Sequence, residues 1–226
     1  MKENQIPVIE TERKMDAPIF RILEKSDFEG VLELMEEIRP DIGGSRDPAL
    51  YYVLCCEALV DKRVVFVIGE EQSKIIAFFL AIIDPNRWRI SFMIRHPLLG
   101  MERALNISFD RLMKLLKKTE KKTKDFDPSL QNIKKYITHG SSNVPREEST
   151  PEIAKLIFDA VAESHRGRHI AKGIRVYMLE VLAKRGVKSV NASIHFHNIP
   201  STHVWYGLGF NIYNRGDQLF ITKDIQ

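Results

Sequence analysis

"LIFDAVAESHRGRHIAKGIRVYMLEVLAKRG", residues 156–186, is the stretch whose reading decides the fold. An apolar run, 156–161, meets a basic turn holding Arg166, Arg168 and His169. An amphipathic run follows, with Ala171, Ile174, Met178 and Leu182 on its inner face, and ends at Gly186. The start of a helix presents unpaired N–H groups and partial positive charge. Arginines gathered there suit a docking anion, although an ordinary solvated turn fits the same letters. The apolar run also reads two ways. Ser149 or Thr150 as a cap with Pro151 behind it would open a helix, whereas "LIFDAV" before a polar break reads as a buried strand.

Working outward, residues 1–17 form a polar leader and 18–226 one domain with an insertion at about 86–150. "PIFRILEKSDFEGVLELMEEI" (18–38) reads as a short strand, a break at Ser26-Asp27 that caps a helix, and Phe28, Val31, Leu32, Met35 and Ile38 at helical spacing. A second helix follows through "PALYYVLCCEALVD" (48–61). "RVVFVIGEEQSKIIAFFLAIID" (63–84) is two β-branched and aromatic runs around a polar turn, the pattern of a hairpin. Its near-continuous apolar runs predict strands covered on both faces.

The insertion is apolar and basic, and reads as two helical pieces broken near Pro97. Leu112, Leu115 and Leu116, with lysines at 114, 117, 118, 121, 122 and 124, make an amphipathic basic helix. A core-packed leucine face with a solvated lysine face accounts for it; contact with a membrane surface or an acidic partner is the alternative. A short strand is expected around "KKYITHG" (134–140). Beyond Gly186, "VKSVNASIHFH" (187–197) is a strand, "IPSTHVWYGLGF" (199–210) a short helix closed by glycine, and "NIYNRGDQLFITKD" (211–224) a final hairpin. The order β-α-α-β-β, insertion, β-α-β-α-β-β describes a layered α/β domain with one mixed sheet.

Bulk properties exclude little but point the same way. The chain has 226 residues and a formal net charge of +4, which suits an anionic ligand without indicating nucleic acid. The two cysteines, Cys55 and Cys56, are adjacent in an apolar helix and read as buried thiols, not a disulfide or a metal site. The N-terminus lacks the apolar core of a signal peptide, and no apolar run reaches the roughly 18–20 residues of a membrane span. The expectation is a cytoplasmic protein without metal.

Ala160-Val161, the loop Arg166-Gly167-Arg168-His169-Ile170-Ala171, the helix to Gly186, then Asn198 and Gly209-Phe210 stand in an order and spacing that resembles the GCN5-related N-acetyltransferase (GNAT) superfamily. Its pyrophosphate loop reads Gln/Arg-x-x-Gly-x-Gly/Ala, and its C-terminal half Asn-x6-Tyr-x3-Gly-Phe. The likeness covers about 18–85 and 151–223, and it favours the strand reading of "LIFDAV". It implies a mixed, mostly antiparallel central sheet flanked by helices, with a helical insertion before the cofactor-binding strand. It implies acetyl-CoA as co-substrate, and direct transfer of acetyl to a primary amine on a small molecule or peptide. A homodimer stays open.

The resemblance places Asp159, Ala160 and Val161 along the pantetheine and thioester, with the Val161 N–H polarising the carbonyl. Residues Arg166, Gly167, Arg168, His169, Ile170 and Ala171 would hold the pyrophosphate, and Asn198 would touch the cofactor from the far side of a splay in the sheet. The chain departs from the pattern twice. His169 stands where the family has the first loop glycine, and Trp205 where many relatives carry the tyrosine that protonates the thiolate. Tyr206 is the neighbour, but one residue along a helix turns a side chain by about 100°. Asp159 is the candidate base, and His195 and His197, alternating around Phe196, share a strand face that would bring both near the site. Two other readings remain: a non-catalytic acyl-CoA-binding regulatory or interaction protein, and a peripheral membrane-surface binder through the basic insertion.

Overall fold

The expected hairpin is the centre of the molecule. In a computed structural model, which describes residues 17–38, 48–97, 133–138, 145, 150–215 and 218–225, β2 (Val64–Glu71) and β3 (Lys74–Ile83) pair antiparallel. Gln72 and Ser73 take φ of 51° and 61°, the double left-handed geometry of a tight hairpin turn. Every β3 residue after Lys74 is buried, because this strand is covered on both faces.

Around it run β1 (Ile19–Ile22), β4 (Ile153–Val161), β5 (Ser189–His195), β6 (Asn211–Arg215) and β7 (Gln218–Asp224), in the sheet order β1-β2-β3-β4-β5-β7-β6. All neighbours are antiparallel except β4 and β5. Among the described residues five α-helices accompany the sheet: α1 (Phe28–Ile38), α2 (Pro48–Val60), α3 (Pro85–Arg95), α4 (Ile170–Lys184) and α5 (Ile199–Gly207). The apolar run 156–161 is therefore strand, as the resemblance required. Side chains alternate across the sheet. Phe66, Phe78 and Phe158 stack on one face beneath Tyr51 of α2. Phe79 points to the other face and meets Trp205 of α5 at 5.9 Å.

Local readings needed four adjustments. The buried face of α1 is Phe28, Val31, Leu34, Met35 and Ile38; Leu32 is only half-buried, since the helix packs one position round from the expected stripe. The residues before α1 form a 3-10 turn, Lys25–Asp27, in which Asp27 accepts the Glu24 N–H and the fork of Arg21. Within 134–140, the part described begins as a helical turn, and only Thr138 joins a strand edge, donating its N–H to Ile212 O. β5 ends at His195; Phe196 and His197 lie in the turn to α5, their rings 3.9 Å apart, so the two histidines do not share a strand face. Residues 1–16 of the leader and the basic helix expected at 112–124 fall outside the described residues.

Candidate functional site

β4 and β5 pair parallel only at Ile153↔Ser189, Ala154↔Val190 and Lys155↔Asn191. Beyond Lys155 they part, while β4 stays on β3 through Val161, with a bulge at Ile157 opposite the Leu80/Ala81 step. Ala162 donates its N–H to Ile76 O on the β3 side. Successive backbone groups alternate along a strand, so the N–H and C=O of Val161 and Asp159 face the split. The sheet splits there, and β4 backbone edges the split.

That edge runs into the loop. A 3-10 turn, Glu163–His165, follows Ala162; Glu163 N–H is held by Glu37 of α1 at 2.8 Å. Gly167 has φ of 80° with open space where a Cβ would stand, so its conformation and not crowding calls for glycine. His169 takes φ of 61° as the residue before α4 and makes no side-chain cap bond. Two left-handed residues flank Arg168 and turn the chain into the first turn of α4, whose leading N–H groups have no partner within the helix. The expected glycine position is thus a real backbone demand, which His169 meets as a strained L-residue. The fork of Arg168 closes on Glu71 at the end of β2, with Nη1 2.9 Å from Oε2. His165 Nε2 joins the same carboxylate at 3.0 Å. The Arg168 hydrogen bond holds the Glu71 carboxyl below its usual range.

Asp159 turns its carboxylate to the α4 face, where Arg175 reaches it. Oδ2 accepts from Nε at 2.7 Å and lies in an ion pair 2.7 Å from Nη2. Arg175 is only 3% exposed. Its Nη2 also donates to Ser201 Oγ at 2.7 Å and its Nη1 to Ser201 O at 3.3 Å. The guanidinium lies 4.2 Å from the Trp205 ring centroid. Trp205 is buried between this group, Phe79 and Phe210.

Comparison with solved structures shows what such a split sheet belongs to. The chain aligns with PaiA N-acetyltransferase from Thermoplasma acidophilum in complex with coenzyme A, at TM-score 0.56 and 11% identity, over 92% of this chain and 99% of that one. An acetyltransferase of the GNAT family from Streptococcus pneumoniae aligns at 0.56 and 9%, over 93% and 100%. The chain has the GNAT fold. A putative acetyltransferase from Salmonella typhimurium, solved with its cofactor acetyl-CoA, gives 0.55 and 11%, over 93% and 95%. No family model matches the sequence, and no curated protein matches it.

Within the GNAT fold the remaining predicted residues sort by position. Ala160 is buried and Val161 half-buried at the end of β4, while Ile170 and Ala171 open α4. Arg166 is exposed in extended backbone at the loop's start. Asn198 caps α5 on the second arm of the split, its Oδ1 accepting the Ser201 N–H at 3.1 Å. Tyr206 is exposed on the outer side of α5, its ring 5.4 Å from that of Tyr136, whose hydroxyl meets His203 Nδ1 at 3.0 Å. His195 is exposed at the end of β5 opposite Gln218. The structure brings Asp159 and Trp205 together through Arg175, but neither Tyr206 nor His195 joins them. Among the described residues, no group of three His, Cys, Asp or Glu side chains converges as a metal site, and no helix is long and apolar enough to cross a membrane.

Sequence reasoning missed Arg175 and Glu71. Arg175 carried a readable signal: it sits on the inner face of α4, between Ala171 and Met178, where a charge needs a buried partner. Glu71 carried none, being one acid among several in a hairpin.

Proposed function

We propose that the chain is an acetyl-CoA-dependent N-acyltransferase that moves an acetyl or other acyl group directly to a primary amine. The observation that carries this reading is the β4 edge left unpaired by β5 past Lys155, which leads through the 3-10 turn Glu163–His165 into the left-handed loop at the N-terminus of α4. An extended pantetheine fits such an edge as an added strand, and a pyrophosphate fits the N–H groups that follow. Support comes from the coenzyme A and acetyl-CoA held by two neighbours of the same fold.

On this reading acetyl-CoA is a substrate, and Val161 and Asp159 supply outward N–H groups for the carbonyl oxygen as it gains charge. The neutral amine attacks the carbonyl carbon, the C–S bond breaks, and the thiolate departs. The amine proton leaves through water. Arg168, fastened to Glu71, shapes the loop, while the loop backbone and Arg166 meet the phosphates.

A second reading, a non-catalytic acyl-CoA-binding module, is favoured by one observation: Trp205 occupies the usual acid position and is 3% exposed. A thermal-shift titration with acetyl-CoA tests both. At a hundredfold excess over Kd the stabilisation is about 2.7 kcal/mol, and no shift at high excess sinks both readings. Release of free CoA on adding a panel of primary amines then supports the enzyme; binding without release across the panel supports the module.

A further inference from the structure

Arg175 joins two elements that the split sheet leaves apart. Asp159 lies on β4 four residues beyond the last β4–β5 pair, so its backbone borders the gap. Ser201 lies in the first turn of α5, the element that follows β5 on the other arm. One guanidinium spans them, with Nε and Nη2 on Asp159 Oδ2, Nη2 also on Ser201 Oγ, Nη1 on Ser201 O, and its face on Trp205. An arginine fork has several donors in fixed relation, so it sets distance and angle together; a lysine would set neither.

We infer that Arg175 is a positioning residue of the acyl-CoA site: by clamping Asp159 to α5 it sets the width of the split and the aim of the Asp159 and Val161 N–H groups. The inference rests on the acyl-CoA reading above and deepens it. It gives Asp159 a task other than that of a base. Its carboxylate is turned onto Arg175 on the α4 face and away from the split, where the reacting amine would stand. It gives Trp205 a task too, as the flat surface on which the guanidinium lies.

The clamp touches the pantetheine end of the site and not the loop, and this separates it from a merely structural role. The experiment measures two dissociation constants by calorimetry on the full chain. One is for acetyl-CoA. The other is for 3′-phospho-ADP, the nucleotide half of the cofactor with its pyrophosphate and no pantetheine. Arg175→Met and Asp159→Asn are each expected to weaken acetyl-CoA about tenfold, the equivalent of roughly one charged hydrogen bond, and to leave 3′-phospho-ADP unchanged. The double variant is expected to be no worse than either single one, because the two residues act as a unit.

If Arg175→Met fails to fold, Arg175→Lys carries the same comparison, since it keeps a charge beside Asp159 but has no fork to reach Ser201. Unchanged acetyl-CoA binding in folded variants overturns the inference while leaving the acyl-CoA reading intact. Equal losses for both ligands overturn it as well, because the whole site has then been disturbed. Wild-type protein that binds neither ligand fails at the earlier step and removes the acyl-CoA reading, and the clamp's purpose with it.

Discussion

His169 is the residue at which local chemistry and backbone geometry disagree. Its φ of 61° lies in the region that glycine enters freely and other residues enter at roughly 1–2 kcal/mol. Histidine is among the residues that tolerate the region better than most. Its ring makes no cap bond, so removing it forfeits little. His169→Gly should therefore leave stability unchanged or raise it by up to about 1 kcal/mol, the strain relief being partly offset by glycine's freedom in the unfolded chain. It should also tighten acetyl-CoA by letting phosphate approach the backbone more closely. Urea unfolding and calorimetry read the two effects. A clear loss of stability would mean that the imidazole holds the loop. Trp205 makes the complementary point. Its spacing from Asn198 and Gly209 suggested an acid's position, yet burial among Phe79, Phe210 and Arg175 makes it part of the packing.

At the scale of elements, the loop before α4 is held from outside itself. Glu71 closes β2 and takes both Arg168 and His165, while Glu37 of α1 takes the Glu163 N–H. The far side of α4 is equally constrained. A Cβ on Gly173 would come within 2.7 Å of the Phe20 ring, so a larger residue there would displace that ring or move the helix away from β1. Glu71→Gln tests what Arg168 does. If the pair shapes the loop, losing it weakens acetyl-CoA binding several-fold at neutral pH, as removal of a charged hydrogen bond does. If Arg168 instead served the phosphates and Glu71 merely competed with them, the same substitution would strengthen binding. The sign of the change in Kd decides.

Across the whole molecule, a second ionic network ties the insertion's first helix to the core. Arg95 of α3 binds Glu57 of α2 and reaches Asp61 at 2.7 Å, His96 adds to Glu57, and Arg63 joins Asp61 to Ser91. Burial pushes the Asp61 carboxyl up, but hydrogen bonds from Arg63 and Arg95 outweigh it and hold the group at about 2, below its ordinary 3.8. Burial also pushes Glu57 up, and hydrogen bonds from Arg95 and His96 outweigh it and hold that carboxyl below its ordinary value. A depressed carboxylate stabilises the fold fully above its unfolded value and ceases to do so as pH falls through its folded one. Stability should therefore decline between about pH 4 and pH 2. In Asp61→Asn, stability at neutral pH should be lower and the acid decline shallower. Urea midpoints at pH 5 and pH 2.5 measure both; an equally steep decline in the variant would place the acid sensitivity elsewhere.

How much was legible follows from the range of the interactions. The order of strands and helices, the loop from Arg166 to Ala171 and the placement of Asn198 were readable, because periodicity and turn chemistry are written within a dozen residues. The strand at 156–161 needed the spacing of distant residues, since its own letters suit helix and strand alike. The partners of the site were out of reach: Arg168 finds Glu71 across 97 positions, and Arg175 finds Asp159 across 16 and Ser201 across 26. By itself the sequence determined the order of most elements and where a basic turn opens a helix, because each depends on neighbouring residues. Only the tertiary structure decided that Asp159 is clamped, that Trp205 is packed and that Arg168 is fastened, because those outcomes depend on which faces the fold brings into contact.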